Sequence, residues 1–198
     1  MDSHAATIQQ ITESVEVKKA LLADPQSINT IAQIADLCTK AYQRGNKVIW
    51  AGNGGSAADA QHMAGEMVSK FHFDRPALTS IALTTDTSII TAIANDYGYE
   101  HVFSRQLQAN ARRGDVFIGI STSGNSHNLV ESLDTCRELG VTAVALVGAS
   151  PCQMDRWDYV VKIPSCSTPR IQECQTLIGH IICCIVEENL FGAKYRNP

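Results

Sequence analysis

The sequence carries no Cys-x-x-Cys pair and no zinc-ribbon spacing, although it has seven cysteines. Their number is odd and Cys183 and Cys184 are adjacent. They read as small hydrophobic side chains in a reducing compartment, not as a disulfide framework. An excess of positive charge is also missing. The formal net charge is −4, which argues against a nucleic-acid surface. No Gly-Lys-Ser/Thr follows any glycine loop, so a Walker-type nucleotide site is absent. The first residues, MDSHAATIQQ, lack a basic segment followed by an apolar one, and no signal peptide is expected. No unbroken apolar run approaches the roughly 20 residues that span a bilayer. Internal repeats, low-complexity tracts and linkers are missing too. These absences lead to the expectation of a cytoplasmic protein with neither membrane nor nucleic acid as partner.

What is present is a chain of 198 residues with 44% hydrophobic and 18% charged residues, a globular balance with enough length for a real core. Residues 4–23 place Ile8, Ile11, Val15, Leu21 and Leu22 at helical spacing. Asp24-Pro25 interrupts, and a second helix runs through Ile28, Ile31, Ile34 and Leu37 to about Gln43. After the turn RGNK the pattern changes. Short β-branched runs (VIWA, SIALT, DVFIGI, TAVALVG, YVVKIP) alternate with helices expected at 56–70, 87–95, 103–111, 126–139 and 171–190. Such alternation implies an α/β fold, a doubly wound and mainly five-stranded parallel sheet flanked by helices, with the first two helices as an addition. A single domain over 1–198 is expected, with N-terminal helices in 1–44 and the α/β core in 45–190.

Ligands of such sheets sit beyond the carboxyl ends of the strands. The loops there are GNGGS (52–56), TTDTS (84–88), STSGNS (121–126) and GASP (148–151). GNGGS can be a plain strand-to-helix turn, or its glycines can bring backbone amides to an anion. Gly52-x-Gly54-x-x-Ala57 also fits a dinucleotide pattern, but the nearest acidic candidate, Asp86, comes 34 residues after Gly52, not about 20. STSGNS crowds Ser121, Thr122, Ser123 and Ser126 around Gly124. It reads as a capping turn, with Ser126 able to cap the next helix, or as a phosphate cradle that works without lysine. A cradle of hydroxyls with no magnesium motif suits a sugar phosphate. Asn95 and Asp96 end a helix, where they either meet sugar hydroxyls or do ordinary turn chemistry.

His62 and Glu66 stand at i and i+4, with Asp59 one turn earlier. That face is either solvated or half of a metal site. The last helix, RIQECQTLIGHIICCIVEENLF, is apolar on nearly all sides from Leu177 to Val186, which suggests a subunit interface. His180 within it reads as a core histidine or a functional one.

Together GNGGSAADAQH, ALTTDTSIITAIANDYGYE, GDVFIGISTSGNS and RIQE followed by His180 resemble the phosphoheptose isomerase family of sugar isomerase (SIS) domain proteins. The resemblance covers about residues 45–190. It implies an SIS-type, flavodoxin-like fold and conversion of sedoheptulose 7-phosphate to D-glycero-D-manno-heptose 7-phosphate, early in heptose supply for the lipopolysaccharide core. It implies a homotetramer with sites at subunit interfaces. It implies substrate contacts from Asn53, Gly54, Gly55, Glu66, Asn95, Asp96, Ser121, Thr122, Ser123, Ser126 and Gln172, and one zinc per subunit at His62, Glu66, Gln172 and His180. An enediol proton transfer then has Glu66 as base and His180 as acid. On one continuous helix Gln172 and His180 lie about 12 Å apart along the axis, so either Gln172 precedes the regular turns or one ligand comes from a neighbouring subunit. The family's stretch commonly reads R-I-Q-E-x-H, and here Gln175 stands at that histidine. The alternative is a non-catalytic SIS-domain relative that binds sugar phosphate and regulates replication initiation. In such relatives the two loops and the residue at position 180 differ, whereas this chain keeps them.

Overall fold

The computed structural model describes residues 2–195. Helices α1 (Ser3–Leu22) and α2 (Pro25–Gln43) form an opening pair. They separate at Asp24, whose carboxylate accepts from the backbone N–H groups of Gln26 and Ser27, with Pro25 opening the first turn. Five strands follow: β1 (Val48–Gly52), β2 (Ser80–Ala82), β3 (Val116–Ile120), β4 (Thr142–Val147) and β5 (Tyr159–Lys162). Every pairing is parallel, and the order is β2-β1-β3-β4-β5. Between and after the strands run α3 (Gly55–Val68), α4 (Thr87–Tyr97), α5 (Ser104–Asn110), α6 (His127–Leu139) and α7 (Thr168–Glu187).

Strand side chains alternate between two apolar cores. Val48, Trp50, Val116, Ile118, Val144 and Leu146 pack with α2, α3 and α7 on one face. Ile49, Ala51, Phe117, Ala143, Ala145 and Val147 pack with α5 and α6 on the other. The chain winds from β1 out to β2, then returns past β1 to β3. The strand order therefore switches between β1 and β3, and a crevice opens beyond their carboxyl ends. At the opposite ends of these strands, buried Asp115 accepts from Lys47 Nζ at 2.6 Å, from Asn46 Nδ2 at 3.0 Å and from the Arg112 and Lys47 amides. Burial alone would raise its pKa, but Lys47 and those donors hold it below the usual carboxylate range. Each cysteine is a free thiol, and burial pushes Cys38 and Cys136 up to about 12, which leaves them inert packing groups.

Helix α7 departs from the sequence expectation. By length and composition the segment Thr168–Tyr195 is apolar enough to cross a bilayer, so the expectation that nothing approaches spanning length needs amending. The helix nevertheless packs as a core element. Ile171, Cys174, Ile178, Ile182 and Val186 are buried within the chain, while Leu177, Ile181, Cys184 and Ile185 are only half-buried. One stripe therefore serves this chain's own core. The exposed apolar side chains Ile8, Ile11, Val15 and Leu22 lie on α1 instead.

A buried ion pair fixes the far end of α7. Arg75 Nε donates to Glu187 Oε1 at 3.0 Å, and both side chains are 1% exposed. The Glu187 carboxylate also accepts from the backbone N–H groups of Phe71 (2.8 Å) and His72 (2.7 Å). Arg75 in turn donates to the carbonyls of Glu66 and Met67 in the last turn of α3. Those carbonyls have no partner inside their own helix, so one guanidinium ends α3, anchors the loop and meets α7.

Candidate active site

Asp2, Asp24 and Asp86 cap α1, α2 and α4 with side-chain hydrogen bonds. At the crevice the pattern reverses. The N-caps of α3, α6 and α7 are Gly54, Ser126 and Ser167, and none makes a side-chain cap hydrogen bond. Gly54 has φ +56° and ψ −121°, a backbone that an L side chain rarely adopts. Helix N-termini left without a capping side chain offer N–H groups and the positive end of the dipole to an anion.

Between them lies a cavity of about 120 Å³, lined by Asn53, Ser56, Ser121, Thr122, Ser123, Ser126 and Gln172 together with Ile120. That is room for a phosphate group rather than a whole sugar phosphate. Ser121 is buried. Its Oγ accepts from Gly124 N at 3.0 Å and meets Ser126 Oγ at 3.3 Å. Ser123 Oγ accepts from Asn125 N. The Ser121 and Ser123 hydroxyls are thus held at their oxygens by backbone amides of the loop.

From the cradle α3 and α7 run side by side in the same direction. Gln172 lies against Gly55, where an added Cβ would meet its Nε2 at 2.5 Å. One turn on, Thr176 Oγ1 donates to Asp59 Oδ1 at 2.8 Å. Next, Gly179 admits the sulfur of Met63 where any side chain would collide. This close approach brings His180 to His62, 118 residues away in sequence, with Nε2 atoms 3.4 Å apart. His62 Nε2 also lies 2.9 Å from Glu66 Oε1. One donor atom from each of His62, Glu66 and His180 falls within 4.8 Å of the others. The imidazoles meet edge to face, and Phe71 covers His180 with ring centroids 5.5 Å apart. Two nitrogens and a carboxylate oxygen so close need a shared proton or cation between them.

Residues 10–148 match the SIS domain family. Over 186 residues the chain is 60% identical to a phosphoheptose isomerase of Aneurinibacillus thermoaerophilus, covering 93% of this chain and 94% of that one. It is 58% identical over 184 residues to phosphoheptose isomerase 2 of Campylobacter jejuni, covering 92% of each. The structure of a phosphoheptose isomerase from Francisella tularensis superposes with a TM-score of 0.89 at 32% identity, over 95% of this chain and 100% of that one. The chain belongs to the phosphoheptose isomerase family of SIS-domain proteins.

Of the site residues that family resemblance implies, the fold gathers Asn53, Ser121, Thr122, Ser123, Ser126 and Gln172 at the cradle, with Gly54 and Gly55 at its rim. It gathers His62, Glu66 and His180 at the second cluster. Asn95 and Asp96 stand apart. Asp96 lines a groove between α4 and α5 with Tyr97 and Arg105, and Asn95 donates to it at 2.8 Å. Neither lines the cradle of its own chain. Gln172 lies at the cradle and not beside His180, as the helical rise requires. Ser126 stands at the N-cap of α6 but does not cap it, because its hydroxyl faces Ser121. Asp59 is taken up by Thr176.

Several residues went unnoticed at the sequence level. Asn128 exchanges two hydrogen bonds of 2.9 Å with Asn53, and Tyr99 OH donates to Asn53 Oδ1 at 2.9 Å. The Asn53 amide is therefore a fixed strut of the crevice. Phe71 and Arg75 of the loop after α3 shape the second cluster, and no local pattern marks either one.

Proposed function

We propose that this protein is a phosphoheptose isomerase, converting sedoheptulose 7-phosphate to D-glycero-D-manno-heptose 7-phosphate for heptose biosynthesis in the cytoplasm. The observation that carries this reading is the spacing of the two clusters along paired helices. From Ser56 in the cradle to His62 is about 9 Å along α3, at about 1.5 Å per residue. An open seven-carbon chain has six carbon–carbon bonds, each advancing about 1.3 Å, so its reacting end lies about 8 Å from the carbon that bears the phosphate ester. With the phosphate among Ser121, Thr122, Ser123 and Ser126, C1 and C2 reach Glu66 and His180. Remote binding of the phosphate supplies the positioning that proton transfer needs.

Glu66 takes the carbon-bound proton and returns it to the neighbouring carbon. His180 exchanges the proton between the two oxygens. The donor set of two imidazoles and one carboxylate also suits zinc with an open position. His62, Glu66 and His180 would hold the ion, and Gln172, about 12 Å along α7 from its own chain's His180, is a candidate fourth ligand from a neighbouring copy. A bound zinc would supply Lewis-acid polarisation of the sugar carbonyl. Glu66 Oε1 already meets His62, so its other oxygen is the one suited to the substrate.

We read the chain as one such domain, with residues 1–44 added to the core, and as a homotetramer. The exposed stripe on α1 and the outer face of α7 support that assembly. A neighbouring copy is then the source of the Asn95 and Asp96 contacts that this chain's own cradle lacks. The test is turnover of sedoheptulose 7-phosphate by purified protein, with and without a chelator. Tight sugar-phosphate binding without turnover would favour the non-catalytic regulator instead.

A further inference from the structure

Gln175 sits one turn beyond Gln172 on α7 and is 1% exposed. It points neither at His180 nor into the crevice. Its Nε2 donates to the carbonyl of Leu146 at 2.8 Å, and that same oxygen accepts the backbone N–H of Ser121 at 3.0 Å. Both lone pairs of one carbonyl at the end of β4 are thus filled, one by the first cradle serine and one by the helix that carries Gln172. The other end of the Gln175 amide, Oε1, is buried with no partner. An apolar side chain of the same shape would avoid that desolvation cost, and Leu146 O would keep Ser121 as a partner.

We propose that Gln175 is a positioning residue for the phosphate cradle, tying α7 to the strand end that holds Ser121 and so setting the separation of Ser121 from Gln172. The inference rests on the sugar-phosphate reading of the cradle. The contribution is to geometry, not to proton transfer. His180 is placed independently, through the Asp59–Thr176 hydrogen bond and the Met63–Gly179 contact further along the same helix. Gln175 therefore acts on phosphate affinity and leaves the acid–base cluster alone.

The test uses the full chain and the variants Gln175→Met and Gln175→His. Binding of inorganic phosphate is measured by titration calorimetry, and KM and kcat with sedoheptulose 7-phosphate. Methionine keeps the length and removes the donor. The expected result is a rise of about fivefold or more in both phosphate Kd and KM, with kcat within about twofold of wild type. The melting temperature should move by no more than about 2 °C, because the lost hydrogen bond is offset by removal of the orphaned Oε1. Histidine offers an N–H at similar reach and should recover most of the affinity. An unchanged phosphate Kd in Gln175→Met overturns the proposal. So does a fall in kcat at constant Kd, and so does weakened binding that tracks lost thermal stability and is not rescued by histidine. A wild-type protein that binds no phosphate overturns it as well. Wild-type phosphate binding without turnover would instead defeat the isomerase reading and leave the Gln175 comparison intact.

Discussion

Replacing Arg75 by methionine would leave Glu187 as a carboxylate at 1% exposure with only two backbone donors, those of Phe71 and His72. It would also strand the carbonyl of Glu66 at the end of α3 and leave that of Met67 with the Leu78 N–H alone. Removing one partner of a buried pair costs about 3–5 kcal/mol. That is about a fifth or more of a typical domain stability of about 5–15 kcal/mol. For a chain of this length each kcal/mol moves the melting temperature by about 2–4 °C, so a fall of about 6–20 °C is expected. Glu187→Met should cost a similar amount by leaving the guanidinium unpaired. The double variant should cost clearly less than the sum, because neither charge is then stranded. The assay is urea denaturation of the four proteins at one fixed protein concentration, which removes the effect of any association. A functional readout accompanies it: the loop carries Phe71 over His180, so kcat should fall in both single variants under conditions where they remain folded. Additive effects, or single variants within about 1 kcal/mol of wild type, would refute the account of Arg75 as the group that joins α3, the loop and α7.

Glu66→Gln should keep the fold and sugar-phosphate binding while lowering kcat by about 10²–10⁴-fold; wild-type exchange of substrate hydrogen with deuterated water would remove Glu66 from the base role. Ser121→Ala should weaken phosphate binding by about 1–3 kcal/mol, read by titration calorimetry, and unchanged affinity would place the phosphate elsewhere. His62→Gln should lower zinc content measured by elemental analysis after dialysis, and full retention would argue for other ligands. Folded-state pKa values of Asp115 and Glu187 lie below their ordinary ones: burial raises each, but for Asp115 Lys47 and its other donors win, and for Glu187 the His72 and Phe71 amides and Arg75 win. Their stabilisation is therefore present above the ordinary carboxylate range, about pH 4–4.5, and is lost as pH falls through the lowered values; a urea midpoint that holds constant well below pH 4 would contradict this. Ile11→Asp on the exposed stripe of α1 should dissociate the assembly in light scattering, whereas Ile182→Asp should unfold the chain itself, since Ile182 is fully buried within it.

The order of helices and strands was legible because its signals are local. Short apolar runs rich in β-branched residues, such as VIWA and DVFIGI, mark strands, apolar spacing marks α1 and α2, and Asp24-Pro25 divides them within a residue or so of the observed boundary. The strand-to-helix loops were legible for the same reason, since glycines and hydroxyl residues following a strand announce themselves. From there the α/β class and the ligand crevice follow by topology. Tertiary structure alone decided which side chains are free. Asn53 looks available for a sugar until Asn128 and Tyr99 take its amide. Ser126 looks like a cap until Ser121 meets its hydroxyl. Glu187 and Arg75 look like surface charges and are instead a buried pair. His62 and His180 meet only because Gly179 lets α7 close on α3. Apart from the Ser121–Ser126 contact within one loop, these outcomes turn on contacts across many intervening residues, where a single Cβ or a shared carbonyl settles the result. Chain periodicity records which face of an element is apolar, but not which partner arrives there.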